Sequence, residues 1–125
     1  MKLAYACILI SACMPYVWIT LTKATIRYNN RTPRAQQEGL TGWRQRAYWA
    51  QMNSFEAFAP FAAAVLVAIQ AGVAADTVDA LALTFVVARA LYGVCYIKDW
   101  HVARSLVWFV GIGVVVALFV LALSR

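Results

Sequence analysis

RAYWAQMNSFEAFAP, residues 46–60, opens a long apolar run yet places Arg46, Asn53 and Glu56 where lipid-facing side chains would be expected. At about 100° per residue, Arg46, Asn53, Glu56 and Pro60 fall within one sector of a helix, so the polar groups share a face and the remainder stays apolar. A charge near mid-membrane costs roughly 2.5–3.5 kcal/mol on insertion scales, so ionisable residues there face partners or a water-filled cavity. The polar face therefore reads as a site.

Around this stretch the chain has 125 residues, 64% of them hydrophobic and 13% charged. That is too little polar surface to cover a globule, and it places the protein in a bilayer. The net charge of +6 comes mostly from residues 23–46 rather than from a dispersed basic surface, which argues against nucleic acid as a partner. A span needs roughly 20 mostly apolar residues. Four such runs occur, at 3–22, 47–71, 80–97 and 102–123, which predicts an all-α, up-down-up-down four-helix membrane bundle with residues 1–125 as one domain.

The first run could be taken for a secretory signal, and residues 10–13 resemble a lipoprotein cleavage box, but the apolar stretch continues through Pro15, Val17, Trp18 and Leu21 and is long enough to span. Thr20, Lys23 and Arg27 leave its end as a basic stripe suited to headgroups or a ligand carboxylate. Residues 28–42 supply the one substantial loop, with Asn29, Asn30, Pro33, Gly39 and Gly42 as turn formers and Arg31 and Arg34 as cations. The connection at 72–79 carries Asp76 and Asp79, whereas that at 98–104 is basic again. By the positive-inside rule the first and third connections are cytoplasmic and both termini outside.

On the second span Ala57, Ala59, Ala62, Ala63, Ala64 and Ala68 permit close helix approach. On the third, Arg89, Tyr92 and Tyr96 stand at i, i+3 and i+7 and form a second polar stripe. Glu56 lies ten residues in from Arg46, about 15 Å deep, and Arg89 nine residues in from Lys98, about 13.5 Å. Opposite charges at one level predict a Glu56–Arg89 pair, each residue offsetting the cost of the other. The same measure sets Asn53 near Tyr92, and Arg46 and Trp49 near Tyr96. Arg104 and Ser105 begin the fourth span at that boundary. The constellation suits a small zwitterionic ligand; a structural set of interhelical bonds is the plainer alternative.

Cys7, Cys13 and Cys95 are odd in number and lie in apolar runs, so they read as small hydrophobes, with no disulfide framework and no metal spacing. His101 reads as an interface residue, and Trp18, Trp43, Trp49, Trp100 and Trp108 as aromatic belts.

These motifs resemble the MAPEG family, the membrane-associated proteins in eicosanoid and glutathione metabolism, over nearly the whole chain. Arg46, Asn53, Glu56 and Pro60 resemble its second-helix signature, Arg89, Tyr92 and Tyr96 its third-helix pattern, and Arg104–Ser105 the opening of its fourth helix. The resemblance implies a homotrimer that binds glutathione between subunits, open to the cytoplasm. Arg46, Asn53, Glu56, Arg89, Tyr92 and Tyr96 would hold the peptide, and Arg104 with Ser105 would stabilise its thiolate. No metal is implied. The expected activity is glutathione transfer to lipophilic electrophiles, or reduction of lipid hydroperoxides, in a bacterial inner membrane. Met52 stands where active relatives carry a second basic residue, and Trp108 and Ile112 where the prostaglandin synthase branch has polar side chains. A catalytically silent binding or scaffold protein is thus one alternative, and a small multidrug exporter using Glu56 another.

Overall fold

Four of these runs become membrane-length helices. In the computed structural model, which describes residues 2–125, the elements are α1 (Lys2–Lys23), α2 (Pro33–Glu38), α3 (Gly42–Gln70), α4 (Ala75–Ile97) and α5 (His101–Leu123). The described residues contain no strand. All but α2 are long and apolar enough to cross a membrane.

Successive spans alternate in direction. At one end the Ala4 amide donates to Asp79 Oδ1 at 2.9 Å, tying the start of α1 to the start of α4. At the other, Arg44 Nε donates to Thr25 Oγ1 and Arg46 Nε to the Ile97 carbonyl, both at 3.0 Å. Those bonds join the exit of α1 to the entry of α3, and the entry of α3 to the exit of α4.

Helix ends differ from the hydropathy boundaries. α3 starts at Gly42 rather than 47, and its 29 residues span about 43 Å, longer than a hydrocarbon core of about 30 Å. Its polar first turns therefore stand in the headgroup zone, where hydropathy gives no helix signal. α4 starts at Ala75 rather than 80, because Asp76 and Asp79 belong to its first turns, where carboxylates complement the positive end of the helix dipole. Within the expected loop at 28–42, Pro33 starts the short α2 at a position where its missing N–H costs nothing.

Two of the tight connections share one device. Gly72, at φ +79°, follows α3, with its amide bonded to Ile69 and that of Val73 to Ala68. Asp99, at φ +60°, follows α4, with its amide bonded to Tyr96 and that of Trp100 to Cys95. Both are Schellman closures, and Asp is among the few side chains that tolerate the left-handed position.

The larger apolar core occupies the half of the bundle near the α1 N-terminus, and a smaller cluster of Met14, Trp18 and Ala50 lies in the other. Phe61 and Phe85 stack with centroids 3.8 Å apart, flanked by Val65, Ala68, Val78, Val114 and Leu118. Trp18 departs from the belt reading: it is buried, donates from Nε1 to Ser54 Oγ at 3.2 Å, and lies on Gly93, where a Cβ would penetrate its ring. Its place more than a turn inside the Lys23 end of α1 lets it pack inward against α3 and α4.

Candidate functional site

The polar residues of α3, α4 and α5 gather in the other half. Arg89 is 3% exposed, and its Nη2 donates to Asn53 Oδ1 at 2.7 Å. Asn53 then donates from Nδ2 to Glu56 Oε2 at 3.2 Å. Among the described residues no direct Glu56–Arg89 ion pair forms, which corrects the pairing expected from equal depth. Depth fixes a level but not a direction around the helix. The shorter amide stands between the two charges, accepting from one and donating to the other, while Glu56 stays exposed.

Arg89, Asn53 and Glu56 form the polar side of a cleft of about 170 Å³. Its apolar side is Ala57, Pro60, Phe85, Gly111, Ile112 and Val115. Pro60 adds a chemical feature. It has no N–H to offer the carbonyl four residues earlier, so the Glu56 C=O lacks its helical partner at the cleft wall. Glu56 thus brings a carboxylate and a carbonyl to one place, an acceptor pair for an amine or amide.

A second hollow of about 210 Å³ is lined by Tyr92, Arg104, Ser105, Trp108 and Phe109. Trp108 belongs to both cavities and forms their shared wall. An aromatic ladder also joins them. The Arg89 guanidinium lies 4.2 Å from the Tyr92 ring centroid, Tyr92 meets Tyr96 edge to face at 5.6 Å, and the Arg104 guanidinium lies 4.4 Å from Tyr96. Each cation is thereby held over an electron-rich face, with donors left for a ligand. Trp49 packs on Tyr96 at 6.2 Å, in keeping with their expected common level.

Of the residues singled out in the sequence, Asn53, Glu56 and Arg89 meet in the first cavity, and Tyr92, Arg104 and Ser105 in the second, with Tyr96 bridging. Arg46 lines neither; it caps the C-terminal carbonyl of Ile97, a favourable place for a cation. Ser105 donates to the His101 carbonyl at 3.1 Å, so its hydroxyl must rotate before it can serve a ligand. Sequence reasoning missed the apolar wall and the double role of Trp108. A small residue at 111 followed one turn later by Val115 was the available signal, but it does not say which neighbour the helix faces.

Four membrane-length helices, three of which line a cleft that is polar on one side and apolar on the other, define an integral membrane protein with a polar site between its helices. The MAPEG family model matches residues 3–124 of the chain, and the chain belongs to the MAPEG family. No curated protein and no solved structure matches it.

Proposed function

We propose that the chain is a glutathione-dependent membrane enzyme of transferase or peroxidase type. The observation that carries this reading is the pair of adjoining cavities, each with an arginine, linked by Tyr92 and Tyr96. The charge pattern fits part of the glutathione peptide: Arg89 answers one of its two carboxylates, and the Glu56 carboxylate and freed carbonyl answer its amine. Arg104, with Ser105 after rotation, would favour the thiolate, which is the nucleophile. In transfer, sulfur bonds to the electrophilic carbon as the leaving group departs. In peroxide reduction, sulfur takes the distal oxygen, the O–O bond breaks to release an alcohol, and a second glutathione forms the disulfide with loss of water.

The proposed assembly is a homotrimer in a bacterial inner membrane, its site open to the cytoplasm and its lipophilic substrate arriving from the bilayer. In support, Glu56, Trp108, Phe109 and Ile112 are exposed on a single protomer, so the cleft between its polar and apolar sides is open outward, where a neighbouring copy would cover it. Family membership leaves no support for the exporter alternative.

Titration of purified protein with glutathione, followed by thiolate absorbance, tests the reading; no binding at millimolar concentration removes it. Arg104→Ala is expected to abolish the thiolate signal, a fall in turnover of about 100-fold or more, with melting temperature unchanged. The Ser105–His101 bond favours a second reading, glutathione binding without chemistry. A bound but fully protonated thiol in the wild-type protein would select it.

A further inference from the structure

The whole formal charge of +6 stands at one end of the bundle. Lys23, Arg27, Arg31, Arg34, Arg44, Arg46, Lys98 and Arg104 face only Glu38 and Asp99 there, while Lys2 and Arg125 balance Asp76 and Asp79 at the other end, and Arg89 balances Glu56 within. Five of those eight cations are occupied. Lys23 lies over Tyr28, Lys98 over Trp100 and Arg104 over Tyr96, while Arg44 bonds Thr25 and Arg46 bonds Ile97. Arg27, Arg31 and Arg34 are different: all three are exposed, and their guanidinium groups bond to no described residue.

The segment that carries them is nevertheless firmly built. Gln36 accepts from the Asn29 amide at 2.9 Å and donates to the Arg27 carbonyl at 2.8 Å, binding α2 to the chain leaving α1. Asn29 accepts from the Arg31 amide and donates to Thr32. Ile26, Pro33 and Leu40 are half-buried, so the loop has an inward apolar side and an outward cationic one. Tyr28 and Trp43, amphipathic rings suited to the membrane interface, flank it.

We propose that this loop is a binding site for the phosphate of anionic phospholipid headgroups, taken by Arg27, Arg31 and Arg34. A guanidinium offers phosphate a two-pronged donor set, and three of them on one pinned loop need little ordering to engage. A zwitterionic headgroup neutralises its own phosphate, so the site selects lipids with net negative charge. The site is separate from the glutathione reading and stands or falls without it.

Native mass spectrometry of the full-length protein in detergent, with phosphatidylglycerol and phosphatidylcholine of identical acyl chains in equal amounts, provides the test. Each cation near an anionic lipid surface contributes roughly a factor of five. Wild-type protein is expected to retain phosphatidylglycerol in preference by about tenfold or more, and the triple variant Arg27→Gln/Arg31→Gln/Arg34→Gln with a ratio near one and phosphatidylcholine retention unchanged. The triple Lys variant keeps most of the preference. Should the triple Gln variant fail to fold, Arg31→Gln and Arg34→Gln alone each lower the ratio severalfold. Equal ratios in wild type and Gln variants overturn the proposal. So does competition by millimolar inorganic phosphate as strong as that by the lipid, since the site would then serve a soluble anion.

Discussion

The two halves of the bundle solve different problems with the same four helices. Near the α1 N-terminus, Phe61 and Phe85 stack face to face, and Val65, Val78 and Leu118 close around them with almost no exposed area. Near the loop between α1 and α3, Arg89 is buried and bonded, yet Glu56, Met52 and Trp108 remain exposed beside it. The apolar half is complete within one chain, whereas the polar half has donors and acceptors still to be met. The first holds the helices at a fixed spacing, so that the second can stay open without collapsing. Apolar packing and polar groups are thus largely separated along the helix axes, with Phe85 and Val115 common to the core and the cleft.

If that separation is real, damage to the apolar half must cost stability first. Phe61→Ala removes one ring of the stacked pair from a fully buried position, and about 3 kcal/mol of stability should go with it, the lower end of the range for buried aromatics because lipid also solvates the unfolded ring. Thermal unfolding in detergent measures this. Glutathione affinity of the fraction still folded should fall only severalfold, through Phe85, which stacks on Phe61 and also lines the cleft; complete loss of binding would show the halves to be one unit.

Gly93→Ala acts within the polar half, one turn beyond Arg89, where Trp18 packs. The added methyl would occupy the space of the Trp18 ring, so the indole must shift and lose its bond to Ser54. Overpacking of this kind costs about 2 kcal/mol. A red-shifted tryptophan emission together with a lower melting temperature is the expected signature. Unchanged emission would mean that the helices, rather than the ring, give way.

Much of this division was legible in the sequence, for a physical reason. Charges are so costly in hydrocarbon that Glu56 and Arg89, with Asn53 on the same face as Glu56, disclose a polar chamber, whereas Arg46 on that face caps a helix end instead; the four spans follow from apolar length alone. What stayed hidden depends on rotation and on helix ends. Asp76 and Asp79 read as loop residues because hydropathy records the edge of the hydrocarbon, while the helix continues into water. Asn53 as a relay and Trp108 as a shared wall require the azimuth of each helix about its axis. Trp18 looked like an interface aromatic, since nothing in the sequence shows that a glycine 75 positions later makes room for it.

In the polar half the effects should fall on binding. Arg89→Lys keeps the charge but loses the planar fork that engages Asn53 while leaving other N–H groups for a carboxylate. Glutathione affinity measured by calorimetry should fall about tenfold, and the melting temperature should barely move. A large loss of stability instead would make Arg89 part of the scaffold, and the two halves would no longer differ in kind.

The smallest effect is the most discriminating. Because the Asn53 amide stands between Glu56 and Arg89, in a cleft that mid-membrane charges require to be water-filled, the direct coupling of the two charges should be about 0.5 kcal/mol, as for other water-screened pairs. A double-mutant cycle of Glu56→Gln and Arg89→Met, read by thermal unfolding without ligand, isolates that coupling from the cost of each single change. A direct buried pair would give several times as much, because removing either partner would strand the other charge in a low-dielectric site. Repeating the cycle in an Asn53→Leu background separates the relay from the field: coupling carried by the amide vanishes there, whereas a through-space attraction grows as the intervening polar group is lost. A small coupling that disappears with Asn53 would leave the Glu56 carboxylate available to a ligand amine, as the proposed glutathione binding requires.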